Sequence, residues 1–191
     1  MAYSLPLPLA HAPPARAQLN DAATDADLVA QLQAGSEAAF RTLVARYQDR
    51  VYRTVLALLR SPEEAEDVAQ EVFVEVYQTI GRFRGDASLS TWLYRLATSR
   101  ALKNRRMARA KKRFAQFTSL FGFDNRVLHE APDHAHPQAL LEGQQQVAFT
   151  LRHEQDLSYE EIAAVLDTTV PAVESLLFRA RQTLRKHLQP H

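Results

Sequence analysis

The sequence predicts an all-α protein of two small helical domains joined by a flexible linker, the second containing a helix-turn-helix. Three observations predict it. Apolar residues recur at spacings of three and four along most of the chain, the pattern of one buried helix face. Strand-like alternation is scarce, and only five glycines occur in 191 residues. An interval at 113–137, rich in aromatics and holding Gly122, Pro132 and Pro137, breaks the helical periodicity.

The first 24 residues, beginning MAYSLPLPLAHAPP, read as a disordered tail. Pro6, Pro8, Pro13 and Pro14 interrupt its apolar run, and the first cation, Arg16, follows that run instead of preceding it as in a secretory signal. A domain over 25–112 comes next. Leu28, Val29 and Leu32 predict a short helix near Ala26–Ala34. Phe40, Leu43, Val44, Tyr47, Val51, Val55, Leu58 and Leu59 form the face of a second helix. Ser61 then reads as an N-cap, with Pro62 at the first helical position and Glu64 completing a capping box. That third helix buries Ala65, Val68, Ala69, Val72, Phe73, Val76, Tyr77 and Ile80, and Gly81 is its stop. RFRGDASLS is a loop by composition, with Ser88 or Ser90 capping a fourth helix. Leu93, Leu96, Ala97 and Ala101 supply its apolar face, which fades by Lys103.

The 113–137 linker leads to a second domain over 138–191. QVAFTLRHEQDL reads as its first helix, and SYEEIAAVL opens with a capping box, Ser158 with Glu161. DTT is a short turn. The last helix, VPAVESLLFRARQTLRKHL, takes Thr169 as cap and tolerates Pro171 in its first turn. Two helices joined by such a turn, the second rich in arginine, match a helix-turn-helix. With Val173, Leu176, Leu177 and Ala180 inward, Ala172, Glu174, Ser175, Arg179 and Arg181 are candidates for duplex contact: Glu for a cytosine amino group, Ser for either base, Arg for guanine or phosphate.

Cysteine is absent, which removes disulfides, thiolate metal sites and thiol nucleophiles and fits a cytoplasmic protein. No apolar run approaches the length of a membrane span, so no direct membrane insertion is expected. No catalytic spacing or phosphate-cradling glycine loop is present, so no enzymatic activity and no cofactor are expected. His129, His134 and His136 cluster in the Pro-containing linker, too weak a pattern to define a metal site. The net charge of +1 conceals a segregation of sign. Glu63, Glu64, Glu66, Asp67, Glu71 and Glu75 crowd one helix, and eight cations lie between Arg100 and Arg113 with no acid among them. Like charges at i, i+4 repel, and a polyanion would relieve that repulsion. Trp92 and Tyr94 adjoin this basic stretch, and aromatics beside cations suit unpaired nucleic acid, whose bases stack on them. On the acidic helix, Asp67, Gln70, Glu71 and Glu75 share a face that would repel DNA and suit a basic protein partner.

Taken in order, DADLVAQLQAGSEAAFRTLVARYQDRVYR, SPEEAEDVAQEVFVEVYQ, FRGDASLSTWLYRLA and LSYEEIAAVLDTTVPAVESLLFRARQTLRKHL resemble bacterial sigma factors of the two-domain extracytoplasmic-function class. The resemblance covers about 25–112 and 140–188. It implies that Asp67, Gln70, Glu71 and Phe73 grip the clamp of the RNA polymerase β′ subunit, with the β flap as a further polymerase contact. It implies that Phe83, Arg84, Asp86, Ser88, Trp92, Tyr94, Ser99, Arg100, Lys103 and Arg106 serve the −10 promoter element, including capture of a flipped base. The last helix is implied to read the −35 element. The partners implied are core RNA polymerase, promoter DNA and an anti-sigma factor, often membrane-anchored. Three departures stand out. Ser99 replaces a usual Asn, LLEGQQQV replaces a Leu-Pro lead-in with a basic Arg, and Asp167 and Pro171 stand where Gly is frequent. A stand-alone helix-turn-helix regulator of duplex DNA is the alternative, and it leaves the acidic helix and the aromatic and basic helix without a role. A sigma-mimicking interaction protein predicts a degraded basic helix, whereas this one is intact.

Overall fold

Seven α-helices and one short 3-10 turn make up the described part of the chain. The computed structural model describes the backbone of residues 17–120, 141 and 143–188, and the side chains of 25–111, 141 and 143–187 among them. The helices are α1 Ala17–Gln33, α2 Glu37–Leu59, α3 Pro62–Thr79, α4 Leu89–Leu120, α5 Gln144–Glu154, α6 Tyr159–Leu166 and α7 Val170–Leu188.

Local chemistry sets the boundaries. Ser36 caps α2 by accepting from the Ala39 N–H at 3.3 Å. Arg60 closes it in the left-handed region at φ 64°, its N–H bonded to the Leu56 carbonyl at 2.7 Å. Ser61 immediately caps α3 through the Glu64 N–H, with Pro62 at the first helical position, so α2 and α3 form a hairpin with almost no loop. A 3-10 turn over Ile80–Arg82 leads into an exposed loop where Gly85 sits at φ 77°. Ser88, not Ser90, caps α4: its Oγ accepts from the Thr91 N–H at 3.1 Å. At α6 the reciprocal capping box forms in full between Ser158 and Glu161. Asp167 ends α6 in the left-handed region at φ 51°, so the turn is made without glycine.

Two helices are longer than the sequence periodicity predicts. α1 begins at Ala17, not near Ala26, and α4 continues past Lys112 to Leu120. In both cases no Pro or Gly interrupts the segment, so good helix formers carry the backbone on after the apolar stripe has ended.

The first unit packs α1, α2, α3 and the first half of α4 around Leu43, Val51, Val55, Val68, Val72, Val76 and Leu93, all 2 % exposed or less. The second packs α5, α6 and α7 around Val147, Leu151, Ile162, Val173 and Leu177, all fully buried. These units also pack on each other, α2 against α5 and α4 against α6, so the buried residues of both join one continuous apolar core.

Candidate nucleic-acid and protein interfaces

Helix α3 divides cleanly by face. Ala65, Val68, Ala69, Val72, Phe73 and Val76 point to the core. Asp67, Gln70, Glu71, Val74 and Gln78, spaced three and four apart, form an exposed stripe. With Glu75 of the same helix they line an open groove that Arg100 of α4 borders on the other side. The family resemblance placed Phe73 on this surface and its periodicity on the buried face; the structure follows the periodicity, with Phe73 9 % exposed beside Val72 and Ala69 on the inward face. The apolar residue the stripe does present is Val74, 55 % exposed. Tyr77, expected on the buried face, is likewise exposed and meets Phe40 edge-on at 5.3 Å.

Arg100 does not stand free for a phosphate. Its Nε donates to Glu75 Oε2 at 2.5 Å and its Nη1 lies 3.3 Å from Glu71 Oε2. The hydrogen bond to Glu75, outweighing some desolvation, raises the already high guanidinium pKa. The cation read as a DNA contact therefore also ties α4 to the acidic stripe.

The loop before α4 presents Arg84 and Asp86 to solvent. Phe83 is half-buried, and its ring lies 5.2 Å from that of Trp92 at 46°, which gives one aromatic platform at the start of α4. Gln33, at the end of α1, donates to the carbonyls of Ile80 at 3.2 Å and Phe83 at 2.9 Å and so holds the loop in place. Nothing in the sequence marks this long-range role of Gln33. Ser88 is engaged as the cap and lies 2.8 Å from Thr91 Oγ1. Further along α4, Ser99, Lys103 and Arg106 are exposed. Tyr94 is not: it is 5 % exposed, its hydroxyl donates to Gln155 Oε1 in the second unit at 3.1 Å, and burial raises its phenol pKa. Trp92 and Tyr94 thus look to different sides of α4, one toward the loop and one under the second unit.

On α7, Glu174, Ser175, Arg179 and Arg181 are exposed and Ala172 is half-buried. Ser175 Oγ donates back to the Pro171 carbonyl at 3.0 Å, and Arg179 Nε to the Ser175 carbonyl at 3.2 Å. Arg181 Nη2 reaches the Tyr159 hydroxyl at 3.4 Å. Phe178, 60 % exposed, stands on the same face as Glu174 and Ser175. The helical pattern of the sequence also turns it outward, but it was not counted among the candidates for duplex contact. The available signal was an apolar ring at a position whose helical neighbours at i−3 and i−4 are polar. The linker histidines His129, His134 and His136 lie outside the described residues. No helix among those described is long and apolar enough to cross a membrane.

Comparison with known proteins gives two family matches, sigma-70 region 2 over residues 43–111 and sigma-70 region 4 over 139–184. The chain is 37 % identical over 183 residues to the RNA polymerase sigma-H factor of Pseudomonas aeruginosa, with 87 % of this chain and 94 % of the relative covered. It is 33 % identical over 189 residues to the ECF RNA polymerase sigma-E factor of Escherichia coli, covering 90 % and 98 %. Among solved structures it is similar to CnrH in complex with the cytosolic domain of CnrY, at TM-score 0.65 and 26 % identity, covering 86 % of this chain and 96 % of that one. It shares the fold of RpoE in complex with the anti-sigma factor NepR from Bartonella quintana, at TM-score 0.55 and 18 % identity over 77 % and 94 %.

Proposed function

The chain belongs to the extracytoplasmic-function sigma factors, which bind core RNA polymerase and direct it to promoters, and we propose which surface performs each part of that work. The first unit, within 25–112, is the polymerase- and −10-binding domain. The second, within 138–191, is the −35-binding domain. The stripe Asp67, Gln70, Glu71 and Val74 is the polymerase contact: carboxylates at its rim attract a basic partner, and Val74 supplies apolar area to bury.

Promoter opening falls to the loop and the head of α4. A flipped base stacked on Phe83 or Trp92 gains about 1–3 kcal/mol, with Arg84 and Asp86 placed to meet its edge or its backbone. Lys103 and Arg106 on the same helix hold phosphates of the adjoining duplex, which releases counterions. On α7, Glu174, Ser175 and Arg179 read base edges, and Phe178 packs on a thymine methyl group in the major groove. The chain performs no catalysis of its own, acts in the cytoplasm and is held in check by an anti-sigma factor that covers these faces.

One observation carries this reading: a single chain exposes an acidic and apolar stripe on α3 and a Phe, Arg and Ser face on the second helix of a helix-turn-helix. A regulator that only binds duplex has no use for the first. Run-off transcription with core polymerase and this chain on a cognate promoter tests it, with a specific transcript expected. Duplex binding without any transcript would instead favour the stand-alone regulator.

A further inference from the structure

Helix α5 sends one side chain into the first unit. Gln146 is 1 % exposed, and its Nε2 donates to the carbonyls of Ala57 at 3.2 Å and Leu58 at 3.3 Å. These lie in the last turn of α2, where carbonyls lack intrahelical partners. Its Oε1 accepts from Arg105 of α4. One buried amide from the second unit therefore satisfies the C-terminus of α2 and ties down α4. Two further bonds cross the same seam: the Tyr94 hydroxyl to Gln155 Oε1 at 3.1 Å, and Arg95 Nε to the Ala164 carbonyl, near the end of α6, at 2.7 Å. Buried polar groups are costly when unpaired, so the pairing of Gln146, Tyr94 and Arg95 across this seam favours the docked register.

The docked arrangement is incompatible with the proposed work. The −10 and −35 elements lie about 25 base pairs apart by name, roughly 85 Å of duplex at about 3.4 Å per pair. Here α4 and α6 pack directly on each other, an axial separation of roughly 8–10 Å. Tyr94, on the promoter-facing helix, is covered by the second unit. The stretch 121–140 between the units reaches at most roughly 70 Å, and the α4 residues beyond Arg106 add about 20 Å, so the covalent chain can span that distance.

We propose that the docked arrangement is a self-occluded resting state of the chain, latched by Gln146, and that the latch must release before both promoter elements can be engaged. The functional half of this inference rests on the promoter-reading roles proposed above; the latch itself does not.

Because the chain has no cysteine, dyes can be placed at will. The full chain carrying Arg53→Cys on α2 and Glu160→Cys on α6, both exposed positions, is labelled and energy transfer is read on the free protein. High transfer is expected. Gln146→Ala should raise the open-to-closed ratio by roughly five- to thirtyfold, the net effect of losing the bonds that this buried amide shares with Ala57, Leu58 and Arg105. Tyr94→Phe, which removes only the hydroxyl donor, should move it the same way by less. Transfer already at the level of a chain cut within 121–140 overturns the proposal. So does transfer that neither substitution changes while both variants remain helical. If Gln146→Ala does not fold, Tyr94→Phe alone decides. Transcription is not the readout, so failure of the polymerase assignment leaves this result standing.

Discussion

Helices α4 and α7 are both arginine-bearing, yet they hold their side chains in opposite ways. On α7, Glu174, Ser175, Phe178 and Arg179 face solvent, and the Ser175 hydroxyl and Arg179 guanidinium donate to carbonyls of their own helix. On α4, Arg100 is held by Glu71 and Glu75, Arg95 by the Ala164 carbonyl, Tyr94 by Gln155, and Ser88 by its cap. On the functional reading proposed above, the first surface is preformed for a rigid duplex, and the second, engaged within the protein, is expected to exchange partners when it meets nucleic acid. Reading paired bases needs fixed donors. Accepting unpaired ones tolerates, and here requires, rearrangement.

The strongest way to break this contrast is to remove the support of α7. Leu177 is fully buried between the helices of the second unit, and Leu177→Ala should cost about 2–5 kcal/mol, seen as a lowered thermal midpoint and loss of −35 duplex binding. Phe178→Ala sharpens it. Stability should stay within about 0.5 kcal/mol, as for most exposed positions. Discrimination at one base pair should weaken by about 1–3 kcal/mol, checked by titrating duplexes in which deoxyuridine replaces each thymidine in turn. If every duplex loses affinity equally, the ring reads no methyl group.

A smaller effect is expected on α4. Arg100→Ala breaks both ion pairs, but the guanidinium is about a third exposed, so stability should fall by less than about 1 kcal/mol in chemical denaturation. The two carboxylates then add repulsion toward DNA, and the salt dependence of promoter binding should change with them. The smallest effect concerns pH. Partial desolvation of this largely exposed ring first, then Arg181 and Arg152, lower the His153 pKa below its ordinary 6.5. The unfolded chain therefore binds this proton more readily, and stability declines as pH falls below about 6.5. His153→Gln should flatten that part of a stability-versus-pH curve.

Much of the fold was legible because its signals are local. The periodic faces of α2, α3 and α7, the Ser61 and Ser158 caps and the brevity of the α6–α7 turn all follow from residues within one or two turns of each other. The extent of α1 and α4 was not legible, because their apolar stripes end before their backbones do: nothing in the pattern marks Ala17 as a start or carries α4 past Lys112. Periodicity put Phe73 on the buried face, where it lies, and only the family resemblance carried it to the polymerase surface. Tyr94, Gln146 and Arg100 were beyond reach for another reason. Their partners lie 61, 88 and 25 residues away, and no local pattern encodes a meeting at that distance. The exposed Phe178 could have been chosen from sequence but was passed over in favour of polar neighbours.

Gln33 carries a consequence for where this protein can be cut. The region 2 family match begins at residue 43, after α1 has ended. Yet the carbonyls that fix the loop ahead of α4 are held from α1, through the Gln33 amide. A fragment trimmed to the matched residues would keep Phe83, Arg84 and Asp86 but leave their loop without its external brace. The smallest piece that preserves the shape of that loop is therefore larger than the piece that family resemblance outlines.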